Sequence, residues 1–129
     1  MTRLQLRLRF PGDHSLGPGK VQLLEAVQAC GSISAAARSM EMAYRHAWVL
    51  IDDLNQLFGA PVIATSTGGR AGGGARLTPL GEEIVRRFHS MERRAERAIA
   101  AELAALEARI GRDASLRTRA FRQPARRPR

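Results

Sequence analysis

Residues 32–58 read SISAAARSMEMAYRHAWVLIDDLNQLF, and this stretch decides how the rest of the chain is understood. Ser32 or Ser34 can accept hydrogen bonds from free amides at the start of a short helix, Ala35 to Met40, whose alanines allow a neighbouring helix to approach closely. Glu41 and Met42 make a turn. The spacing then predicts a longer helix from about Ala43 to Phe58, with Ala47, Trp48, Ile51, Leu54 and Phe58 on its inner face. Arg45, His46, Val49, Asp52 and Asp53 fall on its outer face, and Gly59 closes it. A short helix, a tight turn and a longer helix with exposed leading residues is the layout that places a helix in a DNA major groove. Helix pairs with no such task share it, so the flanking sequence has to decide.

Upstream, Leu4, Leu6, Leu8 and Phe10 alternate with Arg3, Gln5, Arg7 and Arg9, the two-residue period of a strand with one wet face. Pro11, Gly12 and Asp13 break it, and a first helix is predicted from Lys20 to Cys30, ending at Gly31. Cys30 follows Val27 by three residues and is expected in the core as a plain thiol. Downstream, Val62-Ile63 and Ala75 to Thr78 read as the arms of a hairpin around the glycine-laden loop from Thr67 to Gly74.

Thr78-Pro79 opens the last element, with Glu82 and Glu83 near the positive end of the helix dipole. From there to about residue 110, Leu80, Ile84, Phe88, Met91, Ala95, Ile99, Leu103, Leu106 and Ile110 follow one another in steps of three and four. A helix of roughly thirty residues, about 45 Å long at 1.5 Å per residue, exceeds what a small domain covers by itself. Its expected partner is the same helix of a second copy, in a symmetric homodimer with Ile84, Phe88, Met91, Ala95, Ile99, Leu103, Leu106 and Ile110 as the seam.

The whole is expected to be mainly α with a small β component: a winged helix-turn-helix over residues 1–111 with a long dimerisation helix over 79–110. Residues 112–129 are expected to be a disordered arginine-rich tail. Of the formal net charge of +9, that tail holds seven arginines and Asp113, leaving only +3 for the body. The excess points to an anionic partner, but a basic tail adheres to many anionic surfaces, so the fold-level case rests on the body. An alternative reading is therefore a sequence-indifferent architectural protein that coats DNA through the tail.

Other chemistries find little footing. His14, His46 and His89 show no metal-ligand spacing with each other or with Cys30. Asp52 and Asp53 are adjacent and point apart on a helix, so they make no catalytic pair. The loop Gly68 to Gly74 lacks the lysine and hydroxyl residue of a phosphate-binding loop. No enzyme activity, cofactor or metal is expected, and with neither a membrane span nor a secretory signal the expected compartment is the cytoplasm.

For DNA, Arg45 at the start of the longer helix can fork onto guanine or grip a phosphate, with a solvated surface arginine as the plainer reading. Tyr44 and His46 can donate to phosphates or base edges, or pack. Val49 can touch a thymine methyl, whereas Trp48 shares the inner stripe and is assigned to the core. Ser32, Ser34, Thr67 and Arg70 are the expected backbone anchors, Arg70 from the hairpin tip.

Gly31-Ser32-Ile33-Ser34-Ala35-Ala36-Ala37, Ala43-Tyr44-Arg45-His46-Ala47-Trp48 with Ile51 and Leu54-Asn55-Gln56, and Thr67-Gly68-Gly69-Arg70 through Gly72-Gly73-Gly74 to Leu77-Thr78 and Gly81 together resemble the N-terminal domain of the ModE family. The helix-turn-helix is similar to that of LysR-type regulators. The match covers about Leu4 to Arg109. It implies a homodimer on a palindromic operator near molybdate-uptake or molybdenum-cofactor genes. In ModE proteins C-terminal molbindin domains bind molybdate; a stand-alone form without them is expected here, which leaves three readings open: a separate protein senses the oxyanion, or the short form answers to something else, or it answers to nothing. Ala43 stands where the family often has a serine, so a capping and phosphate contact from that residue does not carry over.

Overall fold

In the computed structural model, which describes residues 2–66 and 74–111, burial alternates along the N-terminal segment as its side chains do. Leu4, Leu6, Leu8 and Phe10 are half-buried, while Arg3, Gln5, Arg7 and Arg9 are exposed. Only Leu8–Phe10 (β1) joins a ladder, antiparallel to His14–Leu16 (β2), with Leu8 opposite Leu16 and Phe10 opposite His14. The strand is shorter than expected because β2 runs three residues before Gly17 begins a helix, so the residues ahead of Leu8 meet no partner strand.

Helix α1 spans Pro18–Cys30, starting earlier than Lys20 because proline at the first turn has no N–H to leave unpaired. Val21, Leu23, Leu24 and Val27 are buried, and Gly31 closes the helix at φ 78°, donating its N–H to the Val27 carbonyl. Cys30 is exposed, which corrects its expected place in the core: the core-facing residues of α1 end with Val27.

Helix α2 covers Ile33–Ser39 and α3 covers Tyr44–Phe58. Of the two candidate caps it is Ser32 whose Oγ accepts from the Ala35 N–H, at 3.0 Å. The turn between the helices is a Schellman closure: Met42 N–H donates to the Ala37 carbonyl and Glu41 N–H to that of Arg38. Glu41 takes the left-handed conformation there, at φ 55°, where glycine is the usual residue. Ala47, Ile51 and Leu54 bury the inner face of α3, and Gly59 ends it at φ 69°.

Ile63–Ser66 (β3) and Gly74–Leu77 (β4) pair antiparallel, Ile63 opposite Leu77 and Ser66 opposite Gly74. This is the expected hairpin, with arms longer on the loop side than Val62-Ile63 and Ala75 suggested. Thr67 and Arg70 lie outside the described residues.

Helix α4 spans Pro79–Ala98, and Thr78 Oγ1 caps it by accepting from Gly81 N–H at 3.0 Å. Gly81 is required by contact rather than by conformation: a Cβ there would collide with the Val62 carbonyl oxygen and press on the Leu77 side chain. The single helix expected to run to residue 110 is instead assigned as α4 and a separate α5, Ala100–Glu107. Ile99 between them has φ −98° and ψ 3°, away from helical values. A β-branched residue in an alanine-rich run is stiff, and α5 buries no side chain that would hold the backbone in register.

The chain divides into two compact units, one through Arg94 and one from Ala95. The first holds the core, which gathers Leu16, Val21, Leu24, Ile51, Leu54 and Phe88 with their neighbours and no buried polar side chain among the described residues. Ile84 and Phe88, at 6% and 1% exposure, sit within this core, so their side chains leave no surface for a second copy. In the second unit Leu106 and Ile110 are exposed. No described helix is long and apolar enough to cross a membrane. The architecture is a mainly helical winged helix-turn-helix.

Candidate nucleic-acid interface

The turn at Met40 to Ala43 directs the start of α3 into solvent. Tyr44 and Val49 are 55% and 57% exposed, and Arg45 and His46 are exposed with them. These are four of the eight residues selected from sequence for DNA contact, and they lie on the first two turns of α3. Ala43 contributes no side-chain cap, so the first amides of α3 have no side-chain acceptor from that position. Trp48 is half-buried, as its place on the inner stripe requires, and stands edge-on to Tyr44 with ring centroids 6.5 Å apart. This contact limits the tyrosine's freedom.

Ser32 and Ser34 lie at the start of α2, beside Tyr44. Ser32 is committed to capping, whereas Ser34 is exposed, and its Oγ accepts from Arg38 Nη1 at 3.2 Å. Together with the loop side of the β3–β4 ladder these elements enclose a groove of about 160 Å³, lined by Ser32, Ser34, Tyr44, Trp48, Ser66 and Ala75 among others. The side chains in reach of it are mostly hydroxyls, which both donate and accept hydrogen bonds and so suit a phosphate or a base edge.

The hairpin is fixed to the helices behind it. Ala75 N–H donates to the Gly31 carbonyl at 2.8 Å, Leu77 N–H to Gln28 Oε1 at 2.9 Å, and Val62 N–H to Asn55 Oδ1 at 2.9 Å. Gln28, Thr65 and Ser66 were not singled out from sequence and Asn55 entered only through the resemblance, because what each of them meets in the fold is not signalled by any local pattern.

Asp53 was expected to face outward; it is instead held against the N-terminal segment. His14 Nδ1 lies 2.8 Å from its Oδ1, and Lys20 Nζ donates to its Oδ2 at 2.5 Å and to the Ser15 carbonyl at 2.8 Å. Partial burial by itself would raise the Asp53 carboxyl, but the hydrogen bonds from Lys20 and His14 outweigh it and hold the group below its ordinary value. Phe58, expected inward, is 37% exposed and meets Phe10 edge-to-face at 6.5 Å. His89 on α4 sits between two carboxylates, its Nε2 2.6 Å from Glu25 and its Nδ1 2.9 Å from Glu92. These hydrogen bonds, that of Glu25 first, raise its pKa against the opposing effect of burial. No cluster of histidine, cysteine or acidic residues that could hold a metal occurs among the described residues.

Comparison with known proteins agrees with this geometry. Residues 19–82 match the bacterial regulatory helix-turn-helix protein, lysR family. The molybdenum-pterin-binding protein MopB of Rhodobacter capsulatus is 44% identical over 77 residues, covering 60% of this chain and 28% of that protein. The transcriptional regulator ModE of Haemophilus influenzae is 32% identical over 97 residues, covering 75% and 38%. The molybdenum transport protein ModE of Azotobacter vinelandii is 37% identical over 93 residues, covering 70% and 34%. The chain thus matches about a third of the length of these relatives. The segment matched by the family runs from the first turn of α1 through the α2–turn–α3 unit and the hairpin to the start of α4, so the chain carries a LysR-type helix-turn-helix domain that matches the N-terminal helix-turn-helix domain of ModE-family proteins.

Proposed function

We propose that this protein is a transcription regulator of the ModE type, which reads a sequence in double-stranded DNA as a homodimer at genes of molybdate transport or molybdenum use. The observation that carries the reading is the joint exposure of Tyr44, Arg45, His46 and Val49 on the first two turns of α3, beside the groove that α3 shares with the loop side of the β3–β4 ladder. Arg45 supplies the bidentate donor for guanine, Val49 an apolar contact for a thymine methyl, and Tyr44 and His46 donors for base edges or phosphates. Ser34 with Arg38 holds the backbone beside α2, and Thr67 and Arg70 are assigned the same task from the hairpin tip.

The dimer seam is assigned to Met91, Ala95, Ile99, Leu103, Leu106 and Ile110, of which Leu106 and Ile110 are the most exposed and in greatest need of cover. The domain proper is assigned to residues 1–111 and an arginine-rich tail to 112–129. No catalytic step and no cofactor enter the proposal; the compartment is the cytoplasm, where the DNA is, and the partner for ligand control is a separate molybdate-sensing protein.

The test is Arg45→Ala in the full chain. Specific affinity is expected to fall about tenfold or more, the discrimination that one bidentate base contact carries, with a smaller loss on random duplex. Unchanged specific affinity would remove Arg45 from the reading surface.

A further inference from the structure

A two-stranded hairpin has two outer edges and little stability of its own, so its angle to the rest of the domain depends on what holds its root. On β4 that outer edge presents the N–H groups of Ala75 and Leu77, two residues apart. The first donates to a backbone carbonyl, that of Gly31, but the second donates to a side chain, Gln28 Oε1 on α1. On the other arm, Val62 N–H, just ahead of β3, donates to Asn55 Oδ1 on α3, and the Val62 carbonyl accepts from Thr78 N–H at 3.0 Å. Ile63 and Leu77 face each other across the ladder, so the two side-chain amides clamp the same end of the hairpin from two helices.

We propose that Asn55 and Gln28 are positioning residues for DNA reading: by holding the root of the hairpin they set its angle, and with it the width of the groove between the start of α3 and the loop side of the β3–β4 ladder. This inference rests on the DNA-reading function argued above. Asn55 belongs to α3 itself, the helix that carries Tyr44 and Arg45, so its hydrogen bond to Val62 references the hairpin directly to the reading helix. Gln28 references the other arm to α1, the helix that leads into Ser32. The groove walls are Ser32, Tyr44 and Trp48 on one side and, on the other, Ser66 and Ala75 from the loop side of the ladder, so the two amides act on the groove from the hairpin's root, beyond the Ala75–Gly31 bond. Neither residue is placed in contact with DNA.

The experiment compares variants that keep the acceptor oxygen with variants that remove it. Asn55→Asp and Gln28→Glu retain an acceptor; Asn55→Leu and Gln28→Met have similar size and none. On a duplex that the wild type binds specifically, hydroxyl-radical footprinting is expected to show that the Leu and Met variants lose protection on the hairpin side while α3 contacts persist. Specific affinity should fall about tenfold, and amide exchange at Val62 or Leu77 should accelerate while that of the α1 core amides stays unchanged. The Asp and Glu variants should restore the footprint. Wild-type footprint and affinity in both Asn55→Leu and Gln28→Met would overturn the inference alone, whereas a wild-type chain with no specific footprint on any duplex would overturn the DNA-reading function and this inference together.

Discussion

His14 Nδ1 and Asp53 Oδ1 lie 2.8 Å apart although 39 residues separate them in sequence, and the second carboxylate oxygen is taken by Lys20. The N-terminal β-hairpin and α1 thus grip the middle of α3, the helix whose first two turns carry Tyr44, Arg45, His46 and Val49. With Phe10 against Phe58 at the far end, the presenting helix is braced along its length by residues that take no part in presentation.

Removing this brace has a calculable cost. Asp53→Ala leaves Lys20, whose side chain is only 13% exposed, without its carboxylate, and an abandoned partner of this kind costs about 1–3 kcal/mol. Because the folded Asp53 carboxyl titrates below its ordinary value, the stability it contributes is present above about pH 4 and is lost as pH falls through the folded value. Urea midpoints should therefore separate wild type from Asp53→Asn at pH 7 and converge in acid; a constant gap down to pH 2 would contradict the assignment.

His89 works in the opposite sense. Its folded pKa lies above that of the unfolded chain, since the imidazolium donates to both Glu25 and Glu92. The stabilisation is fully present below about pH 6.5 and declines as pH rises through the folded value. His89→Gln is expected to flatten the urea midpoint between pH 6 and 8, and an NMR titration of the His89 ring in the wild type should give a pKa above 6.5. A value at or below 6.5 would refute the two-carboxylate account.

Gly81→Ala sets two effects against each other. Alanine favours helix by about 1 kcal/mol over glycine, yet here its methyl group meets the Val62 carbonyl and the Leu77 side chain. Backbone at such a contact yields little, and overpacking costs about 1–3 kcal/mol, so net destabilisation is expected. Thermal unfolding of the variant decides it: a raised Tm would mean that the α4 start is free to shift.

Much of this was legible before the structure. Period-2 alternation gave the burial of Leu4 to Phe10, helical spacing gave Ala47, Ile51 and Leu54, and the glycines at 31 and 59 marked both helix ends. The exposed quartet on α3 was visible because it needs only the helical period and a turn. What escaped was non-local. Nothing around Asp53 in sequence announces Lys20 or His14, so an acid on the outer stripe read as solvated. Likewise Asn55 and Gln28 look like ordinary polar helix residues until Val62 and Leu77 are placed beside them. The break at Ile99 escaped because an apolar repeat registers which side chains share a face, whereas continuity of the backbone depends on what covers that face.

The central claim is sequence-specific reading by a dimer, and the most direct measurement is selection of bound duplexes from a random pool by the full chain at about 150 mM salt, where loose electrostatic binding is weakened. The account predicts enrichment of a two-fold symmetric site with half-sites about one helical turn apart, lost in Arg45→Ala. Recovery of no preferred sequence, with retention that falls steeply as salt is raised, would contradict it and identify a sequence-indifferent protein held to DNA by its arginines.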